Sequence, residues 1–505
     1  MNVALILLII VPLGTAILIP LIDIFYKEFR KYLVVFSALL EFFILSYIVI
    51  NNFDEITTGS IFLTYNLGGW LPPVGINLTL DMLSLYFAAL ISTAVLFLVI
   101  YSIGYIGHHE GKYYVLLFLM WAAMQGIILT SDIFNFYVFL ELVLITSAPL
   151  IAFKRNREGT EAAIKYMFYG IIGGLFIFIG IILIYFNLGT LNFAEISTNF
   201  SALPLNNQLF ISIFFLIGLF IKLGIFPFHF WVAKAQSAAP SPVSALLSGV
   251  VEKIYIYVFL RLFWNVFGVN ILHETGLNEI IIYAALLSSI IGHVLALYED
   301  DLKRMLAYST IGHLGIIVAV VTLNTKFAIM AGLLHVLSHL VMKISLFTSA
   351  GFILQFTPSH KLKDSRGVAH ENISVFSGFI IAAAGMMGLP PMIGFFSKLF
   401  IVRSFIDSSF YLGASLVVLG SIFSFIYYSR YITYGFKKIS LGSPEEFRLI
   451  LSVLYREKVV KDIALVFVIA VVLSGIFYKA IFTPLEGVFN VLENPSLYID
   501  LILGG

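Results

Sequence analysis

The 505 residues predict an all-α fold, a polytopic membrane protein of about 14 transmembrane helices. Three observations carry this. Hydrophobic residues make up 60% of the chain and charged residues 11%, where soluble domains carry about 25% charged residues, so the bilayer is the solvent. Apolar stretches of roughly 20 residues recur from end to end, each long enough to cross about 30 Å of hydrocarbon as a helix. Lysine and arginine collect in every second connection between them.

In order, the stretches fall near 2–24, 31–50, 78–103, 113–129, 133–152, 162–186, 208–236, 241–268, 277–298, 304–322, 327–354, 374–406, 411–435 and 463–482. The first has neither a basic region before it nor a small-residue cleavage site after it, and reads as a retained helix. Two stretches are interrupted by proline: 208–236 by Pro227, and 374–406 by Pro390 and Pro391. Proline frees backbone carbonyls and breaks a helix. At membrane depth a break is tolerated where it is packed in protein or lines a hydrated cavity, which is where transporters place ion sites. The two interrupted stretches lie five helices apart, an offset that inverts orientation. Two inverted five-helix repeats are therefore expected, 113–268 and 277–435, flanked by helices within 1–103 and 463–482 in a single membrane domain spanning 1–505.

The basic connections hold Lys27, Arg30 and Lys31; Lys112; Lys154, Arg155, Arg157 and Lys165; Lys234; Lys303 and Arg304; Lys361, Lys363 and Arg366; and seven residues between Arg430 and Lys461, together 21 of the 29 basic residues. The alternate connections at 51–77, 187–207 and 269–276 contain none. This asymmetry places both termini outside the cell membrane. With no cysteine, disulfides, thiolate metal sites and cysteine-ligated iron–sulfur clusters are excluded, so redox chemistry must belong to partners. A net charge of +1 gives no sign of a nucleic-acid partner, and no connection is long enough for a soluble domain.

Eight basic residues remain. Lys326 and Lys479 sit at outer ends, and Arg261 and Arg403 are placed to snorkel to the outer surface. Lys222, Lys253, Lys343 and Lys398 fall near the middles of their spans, as does Glu141. Each intramembrane charge costs about 2.5–3.5 kcal/mol on insertion scales, so a purely structural account of all five is strained.

In DIFNFYVFLELVLI, Glu141 lies roughly 14 Å from the outer end of its helix, at mid-bilayer. Lys222 stands five residues before Pro227. A static ion pair is the plain alternative for it, yet even that pair would let an approaching or receding Glu141 switch the lysine between holding and releasing a proton. Glu252 and Lys253 are adjacent and point about 100° apart, so they need not pair; Lys253 is the better site and Glu252 a weaker one. In HVLSHLVMKISLF the spacing puts His335, His339 and Lys343 on one helical face, as in a proton relay. Zinc or haem ligation is disfavoured there by the missing cysteine and the adjacent cation, so neither a metal site nor a cofactor is expected. GLPPMIGFFSKLFI sets Lys398 beside the second break. His229, His293, His313 and Asp81 are weaker candidates, more often packing or polar contacts.

Three motifs together, IKLGIFPFHFWVAKAQSAAPSPVSALLSG, DLKRMLAYSTIGHLG and GLPPMIGFFSKL, resemble the antiporter-like subunits shared by complex I, Mrp-type sodium/proton antiporters and membrane-bound hydrogenases. The resemblance spans nearly the whole chain. It implies fourteen core helices, inverted repeats, broken seventh and twelfth helices, no cofactor and no catalytic chemistry on this chain. It also implies translocation roles for Glu141, Lys222, Lys253, His339, Lys343 and Lys398. Lys234, Ala235 and Gln236 stand where the family often has Asp-Ala-His, and Glu252 replaces a usually apolar residue; Lys398 is similar to the Mrp D-type and hydrogenase forms. The expected partners are other membrane subunits, further antiporter-like subunits and a peripheral redox module, with protons as cargo and sodium left open. A non-conducting scaffold subunit and a stand-alone antiporter are the alternatives.

Overall fold

The computed structural model describes residues 3–437 and 465–503, apart from 61, 108, 109, 355, 356, 358, 372 and 468. Among the described residues 12 helices are long and apolar enough to cross a membrane, and up to 14 when helices bent at a short break are each taken as one span. The first are α1 (Val3–Phe25) and α2 (Phe29–Asn51). The connection at 51–77, noted above only for its lack of basic residues, contributes to an antiparallel hairpin of β1 (Phe62–Asn66) and β2 (Asn77–Asp81), so a small sheet joins the expected all-α fold. Gly68 and Gly69, both at positive φ, turn the chain out of β1.

There follow α3 (Met82–Tyr105), α4 (Glu110–Leu129), α5 (Ile133–Ile151) and α6 (Arg157–Leu188). The seventh span is broken into α7 (Leu205–Leu223) and α8 (Phe230–Ala238). Next come α9 (Ser241–Val266), α10 (Leu277–Tyr298), α11 (Leu302–Thr322) and α12 (Lys326–Ile353). The twelfth span is again broken, into α13 (Ile373–Met387) and α14 (Ile393–Asp407), and is followed by α15 (Tyr411–Phe436). The last span, α16 (Leu465–Ile476), ends in an 84° bend and does not run on to 482. Its expected start at 463, and Lys438, Arg448, Arg456, Lys458 and Lys461, lie outside the described residues. Two short helices close the chain, α17 (Leu485–Glu493) and α18 (Pro495–Leu503).

Polar caps fix where several spans begin. Asp81 and Ser84 form a reciprocal capping box on α3, and the side chains of Asp132, Asn156, Asp301 and Thr325 accept from backbone N–H groups of α5, α6, α11 and α12. Burial sorts the spans into layers. The apolar windows of α9, α11 and α12 are 100%, 94% and 83% buried, against 33% for α1, α2 and α6, so the former make the core and the latter present apolar side chains outward.

Both breaks are built alike. α7 stops at Gly224 and α13 at Gly388, each at positive φ, and in each the next residue bonds back five positions: Ile225 N–H to Phe220 O and Leu389 N–H to Ala384 O, both at 2.9 Å. A carbonyl freed at each break finds a side-chain donor. The indole of Trp231 takes Ile221 O at 2.9 Å, and the ammonium of Lys398 takes Met386 O at 2.5 Å.

Candidate functional site

Lys222 occupies the last turn of α7, directly before the first break, and its Nζ donates to Glu141 Oε1 of α5 at 3.0 Å. The lysine side chain is 1% exposed and the glutamate 20%, so the pair is buried at one end and open at the other. Gly174 of α6 makes room for the carboxylate, because a Cβ there would collide with it.

Deeper in the core, residues Leu247–Val251 of α9 wind as a wider π-turn, a feature frequent at functional sites. Lys253 donates to the Ser248 carbonyl within that turn. Ser248 Oγ bonds Thr310 Oγ1 of α11 at 2.8 Å, and Thr310 donates to Leu306 O at 3.0 Å. The Leu306 carbonyl also accepts from Lys343 Nζ of α12 at 2.6 Å. Ser248 thus meets Lys253 through its carbonyl and Thr310 through its hydroxyl, and Thr310 shares the Leu306 carbonyl with Lys343. Lys343 donates further to Ser309, whose hydroxyl meets Tyr428 OH of α15 at 3.2 Å.

Glu252 accepts from Gln236 Nε2 of α8 at 2.6 Å, so two of the residues at which the sequence departs from the pattern it resembles touch each other. Glu252 Oε2 and Gln236 Oε1, both buried, have no hydrogen-bond partner among the described residues.

The histidines come together differently from their spacing. His335 bonds across to His313 of α11, Nε2 to Nδ1 at 3.0 Å, and its Nδ1 meets Ser397 Oγ of α14 at 2.9 Å, next to Lys398. His339 shares the helical face with His335, but neither of its ring nitrogens has a hydrogen-bond partner among the described residues; its ring lies 5.3 Å from that of His313. His293 stacks edge-on to His313 with centroids 5.1 Å apart and bonds Tyr427 OH at 3.3 Å. His313 and His293 are therefore part of the cluster, while His229 lies between the rings of Phe226 and Phe230. The hydroxyls of Ser248, Ser309, Thr310, Ser397, Tyr427 and Tyr428 were not singled out from sequence; their only signal was a polar group inside an apolar run.

Two charges sit where sequence did not put them. Arg261 does not snorkel: it is 1% exposed and grips Asp81 with two bonds of 2.7 and 2.8 Å, with Tyr257 and Tyr498 flanking the guanidinium. The β-hairpin and the closing helices cover that end of α9, so the guanidinium stays inside and Asp81 serves it and the α3 cap. Lys303, placed above in a basic connection, is buried in the first turn of α11 and donates to Ala239 O at 2.5 Å. Among the described residues no group of three or more His, Asp or Glu converges to hold a metal ion.

Buried lysines, a carboxylate beside a broken helix and hydroxyl-linked histidines are groups that hold and hand on protons, arranged through the middle of the bundle. The sequence profile described as NADH:quinone oxidoreductase/Mrp antiporter, TM, matches residues 130–424, which contain all of them. The N-type subunit of the NADH-quinone oxidoreductase of Desulforudis audaxviator is 31% identical over 386 residues, 75% of this chain and 76% of that protein. The D-type subunit of the Na(+)/H(+) antiporter of Alkalihalophilus pseudofirmus is 29% identical over 379 residues, 74% of this chain and 76% of that one. A chain of the membrane-bound sulfane sulfur reductase, an archaeal respiratory membrane complex, superposes with a TM-score of 0.89 at 26% identity, covering 100% of both chains. This chain belongs to the NADH:quinone oxidoreductase/Mrp antiporter family, as an antiporter-like, multi-pass membrane subunit.

Proposed function

We propose that this subunit carries protons across the cell membrane along Glu141, Lys222, Lys253, His335, His339, Lys343 and Lys398, within an assembly of several membrane subunits. Glu141 sets the charge that Lys222 can hold. Protons pass from there to Lys253, on to His339 and Lys343, and Lys398 exchanges with one face. The driving module is a redox complex or a set of antiporter subunits, as the names of its relatives suggest. Both termini face outward, in keeping with the loop charges.

One observation carries this most directly: the 3.0 Å bond between buried Lys222 and partly open Glu141 at a helix break. An ion pair placed where backbone polar groups are already freed costs stability, and function is the ordinary reason to keep one. Two inverted repeats fit the same picture. Support for them comes from the paired breaks and from Asp132 and Asp301, which cap the fifth and tenth spans and bridge to Asn192 and Lys361, each about 60 residues on.

The test is Lys222→Ala in the assembled complex, with ion pumping followed in sealed vesicles. Pumping is expected to fall at least about tenfold with assembly intact, a loss matching about 1.4 kcal/mol or more. Unimpaired pumping sinks the central role of this lysine.

A further inference from the structure

Glu41 lies on α2, outside the route just described, and is wholly buried. Gln125 of α4 donates from Nε2 to Glu41 Oε1 at 3.1 Å and to Ser92 Oγ of α3 at 2.8 Å, which uses both amide hydrogens. Two buried atoms then have no hydrogen-bond partner among the described residues: Glu41 Oε2 and Gln125 Oε1. If the carboxyl is ionised, both are acceptors, and a negative charge stands in an apolar layer with Gln125 as its one polar partner.

The groups facing it offer no compensation. α3 carries no charged residue, and the charges of α1, α2 and α4 gather at the helix ends, where Arg30 pairs with Asp23 and Glu110. A single proton on Oε2 resolves everything at once. It removes the charge and makes Oε2 a donor, in a site where Gln125 Oε1 is an acceptor still without one among the described residues. A carboxylic acid and a primary amide are complementary in this way, the acid carbonyl accepting from the amide N–H while the acid O–H donates to the amide carbonyl. The same two atoms are bare at Glu252 and Gln236, but there Lys253 and Lys343 stand within electrostatic reach. Among the described residues Glu41 has no such neighbour.

We propose that Glu41 is a proton-binding site, a neutral carboxylic acid joined to Gln125 between α2, α3 and α4 and separate from the lysine–histidine route. Ser37, one turn away on α2, accepts from Thr15 of α1 at 2.8 Å and continues the polar trace toward the Arg30 end.

Infrared spectroscopy of the assembled complex at neutral pH tests this directly. Subtracting the spectrum of Glu41→Gln from that of the unaltered complex is expected to isolate one protonated-carboxyl C=O band that shifts in heavy water. In Gln125→Leu the acid remains but loses its amide partner, so that band moves to higher frequency; this variant carries the test if Glu41→Gln fails to assemble. A carboxylate signature in place of the acid band, or a band indifferent to Gln125→Leu, overturns the proposal. So does loss of the band on adding sodium, which would make the bound cation a metal ion.

Discussion

Gly174 of α6 lies so close to the Glu141 carboxylate that even a methyl group would displace it. Gly174→Ala is therefore expected to push Glu141 off Lys222 without touching a charge. Loss of a hydrogen bond between charged groups is worth about 1.5–3 kcal/mol, so transport should slow by about tenfold or more. Gly14→Ala, at a position with open space around it, is the control. Vesicle pumping rates for the two variants decide; equal rates would show that the Glu141 position does not matter.

Arg261 and Asp81 form a buried, two-bond ion pair with 2% and 0% side-chain exposure. Removing one partner strands the other charge, so Asp81→Ala should cost about 3–5 kcal/mol, while the double change to Asp81→Leu with Arg261→Met should recover most of it. Thermal unfolding of the detergent-solubilised protein measures both. A double variant no more stable than the single one would count against the pair.

Asp301 caps α11 just outside the span. Burial works to raise its pKa, but the facing His360 at 3.6 Å and the Arg304 N–H at 2.9 Å outweigh it and hold the carboxyl below its usual range. A carboxyl depressed in the folded state contributes stability above its unfolded value of about 3.9, and loses it as pH falls through the folded one. Hydrogen exchange in the first turn of α11 should accelerate below about pH 4. Asp301→Asn caps without titrating and should abolish that pH step.

Much of this was legible from sequence because the bilayer imposes simple rules. Span length and loop charge located the helices, and the prolines at 227, 390 and 391 located both breaks. Glu141 and Lys222 stood out as charges that hydrocarbon tolerates poorly, and the ion pair given as the plain alternative for Lys222 is the contact the structure contains. What stayed hidden depends on which helix faces which. His335 lies one turn from His339 in sequence, yet bonds to His313 on another helix. Arg261 was placed near the surface because nothing local shows that the hairpin bearing Asp81 closes over it. Glu41 and Gln125 are 84 residues apart, and only packing brings an acid and an amide face to face.

His339 holds on to nothing through its ring nitrogens among the described residues, while its neighbours are each anchored. The tautomer of a neutral imidazole is set by the bond its other nitrogen makes, and for this wholly buried ring no described side chain makes one. For a proton crossing this stretch of the bundle, His339 is then the link whose handedness no fixed neighbour dictates: either nitrogen can be the one that receives.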